Sequence, residues 1–411
     1  MHSILYISYD GMTDNLGQSQ VIPYLVGLSR RGYNIHILSC EKPAVFEQKK
    51  AHIEKLLSKH GIAWHPIAYT ATPPIVSTLY DIQRLQKKAT EIVKTHNVNL
   101  VHCRSYIAAH VGVFLNKKYK LPWIFDMRGF WADERIDGNI WDTKKLVYRV
   151  IYKHFKRLEK KYITNASHII TLTEAGKKEM LSWKIFNHCS TPISVIPCCA
   201  DLELFDYRRW SPQKRQAARQ ELNIADNTFV LSYLGSFGTW YMNEEMFDFF
   251  AQLHCTNANS CFLCITPDDA EMLYTLAEKH NIPKTALRIV KASREDVPRY
   301  ASVSNWSLFF IKPLYSKIAS SPTKMGELLG LGIPLVCNAG VGDVEEIMQH
   351  CPQGVCLHDF SAESYQKTID YMLKNSNAEP KPLYNVAQQF YSLAQGVGAY
   401  AGVYEHLFTF S

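Results

Sequence analysis

The hydrophobic pattern of the chain alternates between two kinds of segment. Short β-branched or aromatic runs, apolar on both faces, are typical of buried parallel strands. In the first half these runs are ILYISY (4–9), IHILSC (35–40), WHPIAY (64–69), LVHC (100–103), WIFDM (123–127), HIITLT (168–173) and ISVIPCC (193–199). Stretches with helical periodicity separate them, so we predict an α/β domain with helices on both faces of a parallel sheet.

The second half repeats this pattern. Its strand-like runs are FVLSYLG (229–235), CFLCIT (261–266), LRIVKA (287–292), WSLFFIK (306–312), PLVCNA (334–339) and GVCLHD (354–359). We expect two doubly wound Rossmann-like domains, 1–205 and 206–382, with the polar stretch 206–227 as the linker. A last helix in 383–411 is expected to cross back to the first domain. Such domains bind ligands at the carboxyl ends of their strands, so the expected site is a cleft between them.

The charge of the chain is unevenly distributed. Residues 1–205 hold 28 Lys+Arg and 17 Asp+Glu, whereas residues 206–411 hold 17 and 21. The basic half predicts an anionic partner, and the lack of a nucleic-acid motif argues against nucleic acid. The apolar run at 4–9 stops at Asp10 without a basic leader, and the eleven cysteines fit reduced thiols. We therefore expect a cytoplasmic protein.

Glycine-containing loops follow the first strand of each half. Gly17 precedes a predicted helix at 18–31, where an anion can approach backbone N–H groups; a plain tight turn explains it equally well. In the second half Gly235, Ser236 and Gly238 also permit close approach to the backbone.

The segment IKPLYSKIASSPTKMGELLGLGIPLVCNAG (311–340) carries the most informative polar residues. Ser320, Ser321 and Thr323 offer hydroxyl and N–H groups at a predicted helix start. Lys324 adds a cation, and Glu327 can accept two hydrogen bonds from a ribose. The alternative is a helix cap with a Lys324–Glu327 ion pair.

Because the chain has no Asp-x-Asp pair, we do not expect a metal ion bound to a diphosphate here. Neither Gly340-Val-Gly342 nor Gly396-Val-Gly398 meets the pattern of a dinucleotide-binding loop, and we expect no cofactor.

The loop FDMRGFWADERIDGNIW follows the fifth predicted strand. Its residues Asp126, Arg128, Trp131 and Glu134 combine charged groups with an aromatic face, which suits sugar hydroxyls and ring planes. The alternative is a salt-bridged loop held by buried tryptophans.

The segment 144–162 is strongly basic, with eight Lys/Arg, one acid and an apolar stripe at helical spacing. One interpretation is a helix lying on anionic lipid at the inner face of the membrane. The other is an ordinary surface helix packed by its stripe, and the modest bulk of the stripe favours this second interpretation.

Four segments together resemble retaining glycosyltransferases of the GT-B fold, in particular family 4 (glycosyl transferases group 1). They are GMTDNLGQSQV, HIITLTEAGKKEM, VIPCCADLELF and SPTKMGELLGLGIPLV, and the resemblance covers nearly the whole chain. It implies that Glu327 holds the nucleotide ribose, that the base lies near Lys291, and that Asp126 or Arg128 is nearest the reaction on the acceptor side.

The chain departs from that family at two positions. The first of the family's two carboxylates falls on Ala319, and Ser236 stands where a basic residue usually follows Gly235. Ser320, Ser321 and Lys324 are expected to substitute, with Lys324 carrying the diphosphate charge.

The resemblance thus implies a metal-independent retaining transferase. It would move a hexose-type sugar from a nucleotide-diphosphate sugar to a glycan or polyprenyl-linked acceptor in surface polysaccharide synthesis. Two alternatives stay open: a GT-B-fold nucleotide-sugar epimerase, and a non-catalytic nucleotide-sugar-binding protein.

Overall fold

The chain forms two compact units in this computed structural model, which describes residues 2–73 and 75–409. The first unit extends to Cys198 and resumes at Leu393, and the second comprises Cys199–Ser392.

The first unit contains a seven-stranded, all-parallel sheet. Its strands are β1 Ser3–Ser8, β2 Asn34–Glu41, β3 Ala63–Ala68, β4 Leu100–Arg104, β5 Trp123–Asp126, β6 His168–Thr171 and β7 Ile193–Val195. Their order across the sheet is β3-β2-β1-β4-β5-β6-β7. Every residue of β1, β4, β5 and β6 is buried, as expected for strands covered on both faces.

Eight helices connect these strands. They are α1 Asn15–Gln20, α2 Ile22–Arg30, α3 Pro43–Lys59, α4 Val76–His96, α5 Ser105–Tyr119, α6 Trp131–Asp137, α7 Leu146–Asn165 and α8 Glu174–Ser182.

The second unit repeats the architecture with six parallel strands. These are β8 Phe229–Leu234, β9 Ser260–Ile265, β10 Leu287–Val290, β11 Trp306–Leu308, β12 Leu335–Asn338 and β13 Val355–Leu357, in the order β10-β9-β8-β11-β12-β13. Its helices are α9 Pro212–Glu221, α10 Asn243–Thr256, α11 Ala270–Lys279, α12 Val297–Ala301, α13 Thr323–Gly330, α14 Val344–Met348, α15 Ala362–Lys374 and α16 Pro380–Tyr391. The α/β prediction of two Rossmann-like domains is therefore confirmed.

The second unit begins earlier than the predicted boundary at 205/206. Phe205 is fully buried in its hydrophobic core, and the carbonyl oxygen of Phe205 lies 2.4 Å from where a β-carbon would stand on Gly330. The predicted linker 206–227 belongs to this unit and includes α9. Its polar sequence reflects an exposed helix rather than a free connection.

The single helix expected near the end of the sequence is in fact two helices. α16 ends at Tyr391, and α17 Leu393–Thr409 belongs to the first unit. The break occurs where the Tyr391 carbonyl accepts a hydrogen bond of 2.8 Å from the Ala200 amide. Among the described helices, none combines the length and the apolar character that a bilayer span requires.

Candidate functional site

The carboxyl end of β8 meets the start of α13 in the second unit. Gly235 follows β8 with φ of +115°, a conformation that glycine adopts readily. The Nζ atom of Lys324 lies 3.0 Å from where a β-carbon of residue 235 would stand. The structure thus brings together the glycine turn and the lysine that the sequence singled out.

The Lys324 ammonium is buried between two tyrosine rings. Its Nζ lies 4.3 Å from the ring centroid of Tyr233 and 4.0 Å from that of Tyr241, and it donates to the Tyr233 hydroxyl at 3.2 Å. Burial lowers the pKa of Lys324 to about 7, and the nearby Glu327 acts in the opposite direction. An anion arriving here would favour the charged form of this lysine.

The start of α13 has polar groups suited to an anion. The N-cap residue Pro322 makes no side-chain hydrogen bond to the helix, and its carbonyl accepts a hydrogen bond of 3.0 Å from the Met325 N–H. Ser320 and Ser321 precede this position and Thr323 is the first helical residue; all three are partly exposed. A helix start with a lysine and adjacent hydroxyls is a favourable environment for phosphate oxygens.

Glu327 makes its ion pair outside α13. Its Oε1 lies 2.9 Å from Nη1 of Arg294, which comes from the loop after β10. The alternative interpretation of this segment required a capped helix and a Lys324–Glu327 pair. The structure has an uncapped helix start and a Glu327–Arg294 pair, and therefore favours a ligand site.

Three further second-unit positions lie at the same end of the sheet. Ser236 is exposed in the turn after β8, and its carbonyl accepts a 2.5 Å hydrogen bond from the Tyr233 hydroxyl. Lys291 directly follows β10 and is exposed, whereas Arg294 of the same loop reaches Glu327. Ala319, where the family has a carboxylate, is fully buried at the end of a 3-10 turn.

Gly17 of the first unit lies within α1, and the expectation that it precedes the helix was wrong. A β-carbon there would lie 2.3 Å from the Gly11 carbonyl oxygen, so close packing of α1 on this loop requires glycine. The amides of Met12 and Thr13 donate to the Glu41 carboxylate at 2.7 and 3.1 Å. The Glu41 carboxylate thus accepts hydrogen bonds from this loop, and the expected role of Gly17 toward an external anion remains a prediction.

A buried polar cluster occupies the carboxyl ends of β4 and β5. Asp126 Oδ2 accepts a hydrogen bond from Tyr400 at 3.0 Å and lies 3.3 Å from Nε2 of His102, whose Nδ1 is 2.7 Å from the Tyr404 hydroxyl. Burial opposes ionisation of Asp126, but Arg128 and His102 outweigh it and lower its pKa. Burial also lowers the pKa of His102, so the ring is neutral near pH 7.

Arg128 is held in an unusual position within this cluster. Its backbone has φ of +56°, and its Nη1 lies 3.9 Å from Oδ1 of Asp126. Its Nη2 donates to the Cys198 sulfur at 3.2 Å. Within the described part of the chain, Nε and Nη1 of Arg128 lack a hydrogen-bond partner, which is unusual for a buried guanidinium. The local geometry thus leaves two buried donors of this guanidinium without a hydrogen bond to the described residues.

Trp131 and Glu134 both lie in α6, but their surroundings differ from those of Asp126. The Trp131 ring packs on Phe155 at 4.8 Å and on Trp141 at 5.4 Å, as the aromatic-anchor interpretation of this loop requires. Glu134 is partly exposed in the first turn of the helix. Aromatic rings around Trp131 thus anchor one part of the loop, and the charged side chains of Asp126 and Arg128 occupy another part.

Tyr233, Tyr241 and Arg294 were not predicted from the sequence as site residues. The two tyrosines flank the glycine turn in YLGSFGTWY, and Arg294 follows β10 by four residues. The positions of Tyr241 and Arg294 after strands were a usable signal, whereas Tyr233 lies within β8, and only the fold shows that the three side chains converge on α13.

Two family profiles match the chain. One, described as Glycosyltransferase Family 4, matches residues 20–204, and the other, Glycosyl transferases group 1, matches residues 214–389. Together they span most of the sequence. No curated protein has a significant sequence match to the chain.

Solved structures of glycosyltransferases share the fold. Sucrose-phosphate synthase from Thermosynechococcus elongatus aligns over 100% of both chains with a TM-score of 0.75 and 15% identity. HepE from Anabaena, solved with UDP-glucose, aligns over 99% of this chain and 100% of its own, with a TM-score of 0.72 and 14% identity. A glycosyltransferase from Rickettsia africae aligns over 100% and 99%, with a TM-score of 0.73 and 14% identity. With both profiles and this fold, the chain belongs to the GT-B glycosyltransferases of family 4.

Proposed function

We propose that this glycosyltransferase is a retaining enzyme that transfers a hexose-type sugar from a nucleotide-diphosphate sugar to a glycan or lipid-linked acceptor in surface polysaccharide synthesis. The observation that carries the proposal is the buried Lys324 ammonium beside Gly235 at an uncapped helix start. A fixed cation and aligned N–H groups stabilise the charge that a leaving diphosphate gains.

The donor is held along α13. The diphosphate lies at Gly235, Ser236, Ser320, Ser321 and Thr323, with Lys324 as its cation. Glu327, one turn further along the helix, accepts hydrogen bonds from the ribose, and Arg294 orients its carboxylate. The base lies toward Lys291 on the loop after β10. Lys324 and the N–H groups at the start of α13 offset part of the diphosphate charge, and on this basis we propose a transfer without a metal ion at this position.

In retaining transfer of this kind, the acceptor attacks the face from which the diphosphate leaves. The departing phosphate oxygen takes the proton of the acceptor hydroxyl, and the new glycosidic bond forms as the sugar–phosphate bond breaks. The protein contributes orientation and charge stabilisation, and an acid–base pair is not required.

The acceptor is held by the loop after β5. Arg128 has two donors, Nε and Nη1, without a partner among the described residues, and a small local movement would expose them to the acceptor. Asp126 lies 3.9 Å from Nη1 and holds the guanidinium in place. Asp126 is fully buried, so it acts as a positioning residue, while Trp131 and Glu134 form the adjoining wall.

Peripheral contact with an anionic membrane is supported by the start of α7. Leu146, Val147 and Val150 are 73%, 54% and 59% exposed, and basic residues surround them in the 144–162 segment. The later part of the stripe packs through Phe155 against Trp131. Only the start of the helix is thus available for lipid.

Sedimentation with vesicles tests the membrane contact. Vesicles of phosphatidylglycerol should bind the chain, and vesicles of phosphatidylcholine should not. Replacing Leu146 and Val150 by serine should abolish binding, whereas Leu181→Ser, which alters another exposed leucine, in α8, should not.

Incubation with a panel of UDP-, GDP- and ADP-sugars tests the activity. Slow sugar release or transfer with retained anomeric configuration, unchanged by added Mg²⁺ or Mn²⁺, supports the proposal. Inversion at a ring carbon of the bound sugar would indicate the epimerase, and binding without turnover would indicate a binding protein.

A further inference from the structure

Three histidines meet at the amino-terminal end of the first sheet. They are His36 of β2, His65 of the edge strand β3 and His96, the last residue of α4. One ring nitrogen from each lies within 4.8 Å of the other two. These residues lie near the amino ends of β2 and β3, whereas the polar cluster around Asp126 lies at the carboxyl ends of its strands.

The fold explains why the three rings converge. In the parallel pairing of β2 and β3, His65 is opposite Leu38, two residues beyond His36, so both histidines point to the same face of the sheet. α4 ends at His96 because Asn97 takes a left-handed conformation, with φ of 47° and ψ of 50°. The His96 ring therefore lies over His36, with ring centroids 4.4 Å apart.

We propose that His36, His65 and His96 form a binding site for a divalent transition-metal ion of the zinc type. Nδ1 of His36 and Nε2 of His65 are 3.4 Å apart. Two nitrogens bound to one tetrahedral zinc at about 2.0–2.1 Å are separated by a similar distance, about 3.4 Å. Three imidazoles with a fourth position for water are a suitable ligand set for this class of ion.

The surroundings of the cluster support a cation. The carboxyl end of α4 directs its partial negative charge toward the site. His36 Nε2 lies 3.2 Å from Nδ2 of Asn34, and a flip of this amide would turn its oxygen toward Nε2 to accept the ring proton once Nδ1 binds a metal.

The expected role of this ion is structural. It would connect the edge strand β3 and the end of α4 to β2, at the end of the sheet opposite the Asp126 cluster. Binding should therefore raise the melting temperature of the chain without altering donor affinity.

Cobalt titration of the untagged, metal-free full-length chain tests this site. One equivalent of Co²⁺ should give the intense visible absorption of tetrahedral coordination, and Zn²⁺ should displace it. His96→Gln and His65→Gln should each weaken Co²⁺ binding by at least about tenfold, since changes to outer-shell partners alone cost that much. His52→Gln, an exposed histidine of α3, should leave binding unchanged.

Circular dichroism should show that the variants remain folded, since His96 lies at a helix end and His65 is only partly buried. Absence of one-equivalent binding, or binding that survives both His65→Gln and His96→Gln, would overturn the proposal. In that case the three rings are a stacked aromatic cluster at the sheet edge.

Discussion

The Lys324 ammonium lies 3.0 Å from where a β-carbon of residue 235 would stand. A side chain at position 235 and the lysine therefore compete for the same space. Gly235→Ala should displace the ammonium and lower donor affinity by at least about tenfold. The φ of +115° adds a stability cost of about 1–3 kcal/mol, measurable by chemical denaturation.

Gly238→Ala is the matched control for this change. A β-carbon there would approach only Ser236 Oγ, at 3.7 Å, which is an ordinary contact. We expect this variant to keep both donor affinity and stability. Equal loss of affinity in the two variants would show that the turn matters only for folding.

Lys324→Met should lower nucleotide affinity without lowering the stability of the protein. The variant loses charge-assisted hydrogen bonds to the diphosphate, worth about 1.5–3 kcal/mol, or roughly 10- to 100-fold in nucleotide affinity by calorimetry. Since the pKa of Lys324 in the folded chain lies below 10.5, its ammonium favours the unfolded state at pH 7. The melting temperature should therefore stay the same or rise. Lys312→Met, at an exposed lysine before α13, should change neither property.

Donor affinity should depend on pH through the same lysine. In the free protein the pKa of Lys324 is about 7, and a bound diphosphate raises it. Above pH 7 binding requires proton uptake, so affinity should fall by up to about tenfold per pH unit and level off below pH 7. Isothermal titration from pH 6 to 9 in buffers of different ionisation enthalpy measures this. The same slope in Lys324→Met would refute the assignment.

Glu327→Ala should affect the nucleoside part of the donor only. A carboxylate that binds ribose contributes to the affinity for a nucleoside diphosphate but not for inorganic pyrophosphate, whereas Lys324 contributes to both. We expect Glu327→Ala to weaken the nucleotide by about tenfold or more and to leave pyrophosphate unaffected. Parallel loss of both ligands would mean that Glu327 serves only to hold the helix through Arg294.

Asp126→Asn should destabilise the first unit. It leaves the buried Arg128 cation uncompensated, a change that costs about 3–5 kcal/mol of unfolding free energy. The pKa of Asp126 is lowered in the fold, so its contribution to stability is present above the unfolded pKa and is lost as the pH falls through the folded value. Urea denaturation at pH 7 and at pH 3 measures both effects.

Asp142→Asn, at an exposed position of the same unit, should be neutral. If the two aspartate variants unfold alike, the buried cluster contributes no more to stability than a surface charge.

Most of the fold could be predicted from the sequence because parallel strands such as those at 4–9 and 229–235 are apolar on both faces. Boundaries were less predictable. The polar sequence of 206–227 suggested a linker. Phe205, just before it, is nevertheless buried and packs closely against Gly330, more than a hundred positions away. The break between α16 and α17 likewise depends on a hydrogen bond with Ala200.

Those residues of the candidate site that are close together in the sequence could be predicted from it. Ser320, Lys324 and Glu327 were identified because they lie within one segment. Arg294, Tyr241 and Glu41 come from distant elements, and no local signal indicates that they contact Glu327, the Lys324 ammonium and the amides of 12–13, respectively. The sequence also could not show that Gly17 packs against Gly11. This close packing explains why position 17 is glycine without requiring a bound anion.

The helix α17 has a consequence for how the protein is made. Tyr400 and Tyr404 complete the hydrogen bonds of Asp126 and His102, yet the ribosome must translate the entire second unit before these tyrosines emerge. In a nascent first unit, this carboxylate and imidazole therefore still lack their tyrosine partners. Its final consolidation must wait for the end of synthesis, so a premature stop codon in the second half would leave both units incomplete.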